Sequence, residues 1–134
     1  MENVHEEDTM MTRFTIRRDL AWTPFLLLLG AIESNSFVEF DGDQLKLRFG
    51  GYSAMVPISA VDSIQSTNWA IWRGIGIRVS LNQRIGLIGS TAGVVQINLS
   101  TPCVPFLGVK ANTLFVSLDD PAGFINMLEA KMVN

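Results

Sequence analysis

The side chains with the most capacity for chemistry gather around one short stretch, where Trp69 and Trp72 precede Arg73-Gly74-Ile75-Gly76-Ile77. Two large aromatics beside a loop are either core anchors or part of an interaction patch, a setting in which tryptophan and arginine are enriched. The glycines imitate part of a phosphate-binding loop. A third glycine and a following helix are missing, so a sharp strand entry or a bulge explains them better. Lys46, Arg48, Arg73, Arg78 and Arg84 alternate outward along their segments, an arrangement that gathers them on one face near an anionic ligand. A solvated strand face is the simpler account of the same residues. The candidate binding set is therefore Trp69, Trp72, Arg73, Arg78, Lys46 and Arg48.

Residues capable of covalent or acid-base chemistry are scattered. The one histidine, His5, falls in an acidic N-terminal stretch, so a histidine-based triad would need that stretch to dock into a site. Cys103, between Pro102 and Val104, has no sequence-near base to lower its pKa and reads as an inert, semi-buried thiol. Asp119-Asp120 is the tightest carboxylate pair, but it stands where a strand meets a helix, and capping explains it. No Cys, His or carboxylate spacing suits zinc. The chain therefore reads as non-enzymatic, with no catalytic residue, no metal site and no cofactor.

The elements that hold these residues follow from composition and pattern. With 134 residues, 48% hydrophobic and 17% charged, the chain is expected to form one domain with a rather apolar surface. A net charge of -3 argues against nucleic-acid binding, which needs Lys and Arg concentrated on one face. A single cysteine allows no intrachain disulfide, so a reducing cytoplasm is the expected setting. The apolar run from Leu20 to Ile32 follows Arg17-Arg18, yet it is shorter than a membrane span, carries Pro24 and meets Glu33. It lacks a small-residue cleavage pattern, so it is read as a core segment and not as a leader or a transmembrane segment. Residues 1–11 are expected to be a mobile tail, and residues 12–134 the domain.

Alternation with period two recurs along most of that domain. It places Phe14 and Ile16 on one face, then Val38 and Phe40, then, after Asp41-Gly42-Asp43, Leu45, Leu47 and Phe49. Gly and Asp at that turn tolerate positive φ, which makes a hairpin. Ala54, Val56 and Ile58 suggest a strand that Pro57 confines to an edge or places near its end. Ile75 to Leu81 suggest another, which Ile85 to Ile88 extends or pairs with. A turn at Ser90-Thr91-Ala92-Gly93 is expected to return the chain through Val95, Ile97 and Leu99, Thr101 to Asn112 reads as a loop, and Leu114 to Leu118 reads as the last strand. A helix over 120–132 follows, with Asp120 as its cap, Pro121 at the first helical position and Phe124, Leu128 and Met132 on one stripe. The expectation is a mainly β fold, a small barrel or sandwich of about seven antiparallel strands capped by one C-terminal helix.

This order of elements resembles bacterial proteins of the pleckstrin-homology-like superfold, and more narrowly a group of short, single-domain actinobacterial-type proteins of unknown function. The resemblance rests on VEFDGDQLKLRFG from Val38, Pro57-Ile58, RGIGIRVSLN from Arg73, GVVQINL from Gly93 and LFVSLDDPAGFINML from Leu114. It implies two nearly orthogonal sheets with one corner plugged by the helix. Headgroup-binding members of that superfold carry a basic cluster between their first two strands, whereas here Arg17-Arg18 gives way to Asp19 and the apolar Leu20 to Leu29. The superfold also serves as a scaffold for peptides, proteins and self-assembly. The functional expectation is a non-enzymatic binding or assembly module with a protein partner or a second copy of itself, with a small apolar or amphipathic ligand or lipid as the alternative and an enzyme with a dispersed site of Asp and Arg residues ranked third.

Overall fold

A computed structural model describes residues 13–19, 36–69, 76–80, 83–106 and 109–133 of the chain. The candidate residues Trp72 and Arg73, His5 and the run from Leu20 to Ile32 lie outside the described residues, as does the whole of the 1–11 stretch.

The first sheet is an antiparallel meander in chain order. It comprises β1 (Arg13–Thr15), β2 (Ser36–Asp41), β3 (Gln44–Phe49) and β4 (Tyr52–Pro57). Alternation sets its register, because Val38, Leu47 and Ala54 stand side by side on one face while Phe37, Arg48 and Ser53 share the other. The turn between β2 and β3 is the expected one, with Gly42 at a φ of 63°. Pro57 ends β4, which lies at the edge of the sheet as a missing amide requires.

A short 3-10 turn, Ile58–Ala60, leads into the second sheet. Its strands are β5 (Val61–Ser66), β6 (Gly76–Ser80), β7 (Arg84–Ile88), β8 (Val94–Leu99) and β11 (Thr113–Ser117), in the spatial order β5, β8, β11, β7, β6. β9 (Val104–Phe106) and β10 (Val109–Ala111) form a separate two-stranded ribbon. Four expectations are corrected here. Eleven strands are present among the described residues, not about seven. The proline-bearing stretch from Thr101 to Asn112 contains the β9–β10 ribbon, since Pro105 lies on a two-stranded element with a free edge. The turn before β8 does not pair β8 with β7, because β11 inserts between them, antiparallel to β8 and parallel to β7. Nor does either large sheet close into a barrel, since β1 and β4 remain edges of one and β5 and β6 of the other.

Residues 13–19 tie the two sheets together. After β1 pairs with β2, the Ile16 amide donates to Ser36 O at 2.9 Å, and the next amide, of Arg17, donates to Ser117 O on β11 at 2.8 Å. The chain thus passes from one sheet to the other within one residue. The Arg17 side chain extends the link, its Nε donating to Leu118 O at 3.1 Å and its Nη2 to Asp119 O at 3.2 Å. Ser117 Oγ, fully buried, donates to Arg17 O and accepts from the Gly89 amide, both at 2.9 Å.

The C-terminal helix α1 (Pro121–Val133) begins one residue after Asp120, whose Oδ1 accepts the Gly123 amide at 3.0 Å. Its inner face carries Phe124 and Leu128, both fully buried in one apolar cluster that also takes in Ile16, Phe40, Leu47, Val56, Ile64, Ile97 and Val116 from both sheets. The helix is therefore part of the core. Asp120→Ala should cost about 1 kcal/mol, the usual loss for a side-chain cap. Chemical denaturation monitored by circular dichroism checks it, with Asp120→Asn, which keeps the acceptor oxygen, expected near wild type.

Candidate functional site

The described basic candidates are spread over both large sheets. Lys46 and Arg48 stand on β3 of the first sheet, whereas Arg78 is on β6 and Arg84 on β7 of the second. Arg48 Nε donates to Gly50 O at 3.0 Å, and the Arg84 guanidinium lies 6.0 Å from the Phe115 ring centre. Trp69 is buried and meets the Phe115 ring at 5.3 Å between centroids, so it acts as a core anchor of the second sheet.

The face that Lys46 and Arg48 share is itself partly covered. Glu39, opposite Lys46 in the register and at a polar position of the alternation, is only 4% exposed and pairs with Arg13 at 3.3 Å. Arg13 also stacks on Phe37, its guanidinium carbon 3.9 Å from the ring centre. One arginine thus shields an aromatic ring and compensates a buried carboxylate.

The two adjacent carboxylates serve structure. Asp119 faces Arg17 at 3.9 Å, and Asp120 caps the helix. Burial pushes the Cys103 thiol up from its ordinary pKa while Lys110 opposes the shift, and a thiol held protonated is a poor nucleophile. Among the described residues no group of His, Cys, Asp or Glu can hold a metal ion. No helix among them is long and apolar enough to cross a membrane.

Tyr52 links the first sheet to the small ribbon, its hydroxyl donating to Pro105 O at 2.6 Å. Burial pushes its pKa up to about 12. Only the protonated phenol can donate, and the folded state holds that proton more tightly than the unfolded chain. The stability this group contributes is therefore fully present below pH 10 and is lost as pH rises from 10 through 12. Tyr52→Phe should flatten that part of the stability profile, which denaturant titrations between pH 9 and 12 would measure.

What the fold does create is a cleft of about 470 Å³ lined by Gly42, Asp43, Ile58, Ser59, Val61, Lys131 and Met132. Four parts of the chain meet there: the β2–β3 turn, the 3-10 turn, the start of β5 and the last turn of α1. The Ile58 amide donates to Asp43 O at 2.9 Å, which fastens the 3-10 turn to the hairpin tip. The lining mixes largely buried Ile58 and Val61 and half-buried Met132 with exposed Asp43 and Ser59. Lys131 reaches back over the core, its Nζ 5.7 Å from the Phe40 ring centre. The size falls within the range of small-molecule sites.

None of these lining residues belongs to the set picked from the sequence. Asp43 reads there as a turn residue and Lys131 as the complement of the helix dipole. No local pattern marks them as neighbours, because the separation of residues 43 and 131 along the chain is closed only by the packing of α1. Compared with protein-family models, with curated proteins and with solved structures, the chain matches none.

Proposed function

We propose that this protein is a non-enzymatic binding module whose ligand, a small amphipathic molecule, sits in the cleft at the end of α1. The observation that carries this reading is the lining itself, in which an apolar floor of Ile58, Val61 and Met132 is bordered by Ser59, Asp43 and Lys131. Such a mixture suits a molecule with an apolar body and a polar head. The pleckstrin-homology-like assignment belongs to the same proposal, supported by two sheets followed by a C-terminal helix. The cytoplasm is its proposed setting, on the lone cysteine of the chain.

Methyl-resolved NMR of the full chain tests the cleft with 4-methyl-1-pentanol, a neutral amphipath, as the probe. Methyl signals of Ile58, Val61 and Met132 should shift saturably, and Ser59→Trp, which fills the opening from an exposed position, should abolish the shifts. Unmoved methyls would remove the proposal.

Self-association is a second reading, favoured by the edge strand β4. Edge strands usually carry a charge that deters pairing with another chain. β1 has Arg13, β5 has Asp62 and β6 has Arg78, whereas β4 reads Tyr-Ser-Ala-Met-Val-Pro with Met55 43% exposed. Light scattering across a concentration series should show a dimer that Met55→Lys dissociates, and a wild type that stays monomeric refutes it.

A further inference from the structure

We infer that the cleft selects a small zwitterion with an apolar side group, the class of the apolar α-amino acids; the inference rests on the cleft being the binding site. Asp43 and Lys131 bring opposite charges to one lining. No ion pair joins them among the described residues, and neither is paired with another charged side chain there. Two opposite charges that share a wall without meeting leave each free for the complementary end of a ligand. Ammonium is directed to Asp43, the anion of the lining. Carboxylate is directed to Lys131, whose ammonium, 5.7 Å from the Phe40 ring centre, is the cation of the lining. Ile58, Val61 and Met132 then take the apolar group, while Ser59 offers a hydroxyl to either head.

A ligand with one charge meets only half of this arrangement, and it leaves the opposite wall charge facing it without compensation. Selection therefore comes from the pair and not from either residue alone. The exposure of Asp43 and the half-buried position of Lys131 keep each contribution modest, a factor of about five in affinity.

The test uses one carbon skeleton in four charge states: leucine, leucine methyl ester, 4-methylpentanoate and 4-methyl-1-pentanol, titrated into the full-length protein with the cleft methyls as the readout. Leucine should bind about fivefold tighter than the ester or the acid. Asp43→Asn should weaken leucine and the ester but not the acid, and Lys131→Met should weaken leucine and the acid but not the ester. That crossed pattern cannot arise from a general loss of fold. Glycerophosphoethanolamine, which has both charges and no apolar group, should bind more weakly than leucine; tighter binding would assign the site to a lipid headgroup and overturn the inference. If the alcohol shifts the methyls and leucine binds no better, the selectivity falls while the cleft remains the binding site. If no probe shifts them, both fall.

Discussion

Replacing Phe124 with alanine should destabilise the protein by roughly 3 to 5 kcal/mol and lower its melting temperature by about 10 to 15 °C. Phe124 is fully buried, and its ring meets Phe14 at 5.3 Å and Phe40 at 5.4 Å, while Phe14 and Phe40 lie 5.9 Å apart. One ring comes from β1, one from β2 and one from α1, so the truncation opens a cavity at the junction of helix and sheet. The lost transfer free energy and the cavity account for most of the cost, and the broken ring contacts, one of them edge-to-face, add about 1 kcal/mol. Leu128→Ala, one turn further along the same face, should cost about 2 to 5 kcal/mol. Guanidinium denaturation followed by tryptophan fluorescence gives both values. Unchanged midpoints for the two variants would mean that α1 does not dock.

The helix that carries Phe124 is legible in the sequence because its determinants are local. Asp120, Pro121 and the stripe of Phe124 and Leu128 are close neighbours along the chain, and the observed helix starts one residue from the expected boundary. The β2–β3 hairpin is legible for the same reason, since Asp41-Gly42-Asp43 defines the turn and alternation defines both strands.

Long-range pairing leaves no such local trace. Whether β8 pairs with β7 or with β11 depends on which strand arrives beside it, and β11 is far downstream of the turn that precedes β8. The short β9–β10 ribbon was hidden by Pro102 and Pro105, because a ribbon with free edges tolerates proline where a central strand does not. Glu39 shows the limit of alternation as a guide. Its position is polar in pattern but buried in fact, since Arg13 arrives from β1 to lie over it. The cleft was illegible for a related reason: each lining residue has a sufficient local explanation, and only tertiary packing makes them neighbours.

Gly93→Ala should cost roughly 2 to 4 kcal/mol although it adds a single methyl group. Gly93 holds a φ of 71°, and a β-carbon there would meet the carbonyl oxygen of Leu118 well inside van der Waals contact. That oxygen is not free to move away. It accepts from Arg17 Nε at 3.1 Å, while the Leu118 amide donates to Gly93 O at 2.9 Å and Ile16 bridges to Leu118. The same small region is where residues 13–19 cross from one sheet to the other, so displacing Leu118 strains the link between the sheets and not only a turn. Gly42→Ala provides the comparison, because Gly42 has a φ of 63° with nothing within 4 Å of an added β-carbon. It should cost only the backbone strain, about 1 to 2 kcal/mol. The difference between the two variants in the same denaturation assay isolates the steric part. Equal losses at the two glycines would show that Leu118 and Arg17 yield freely, and the inter-sheet link would then be softer than its hydrogen bonds imply.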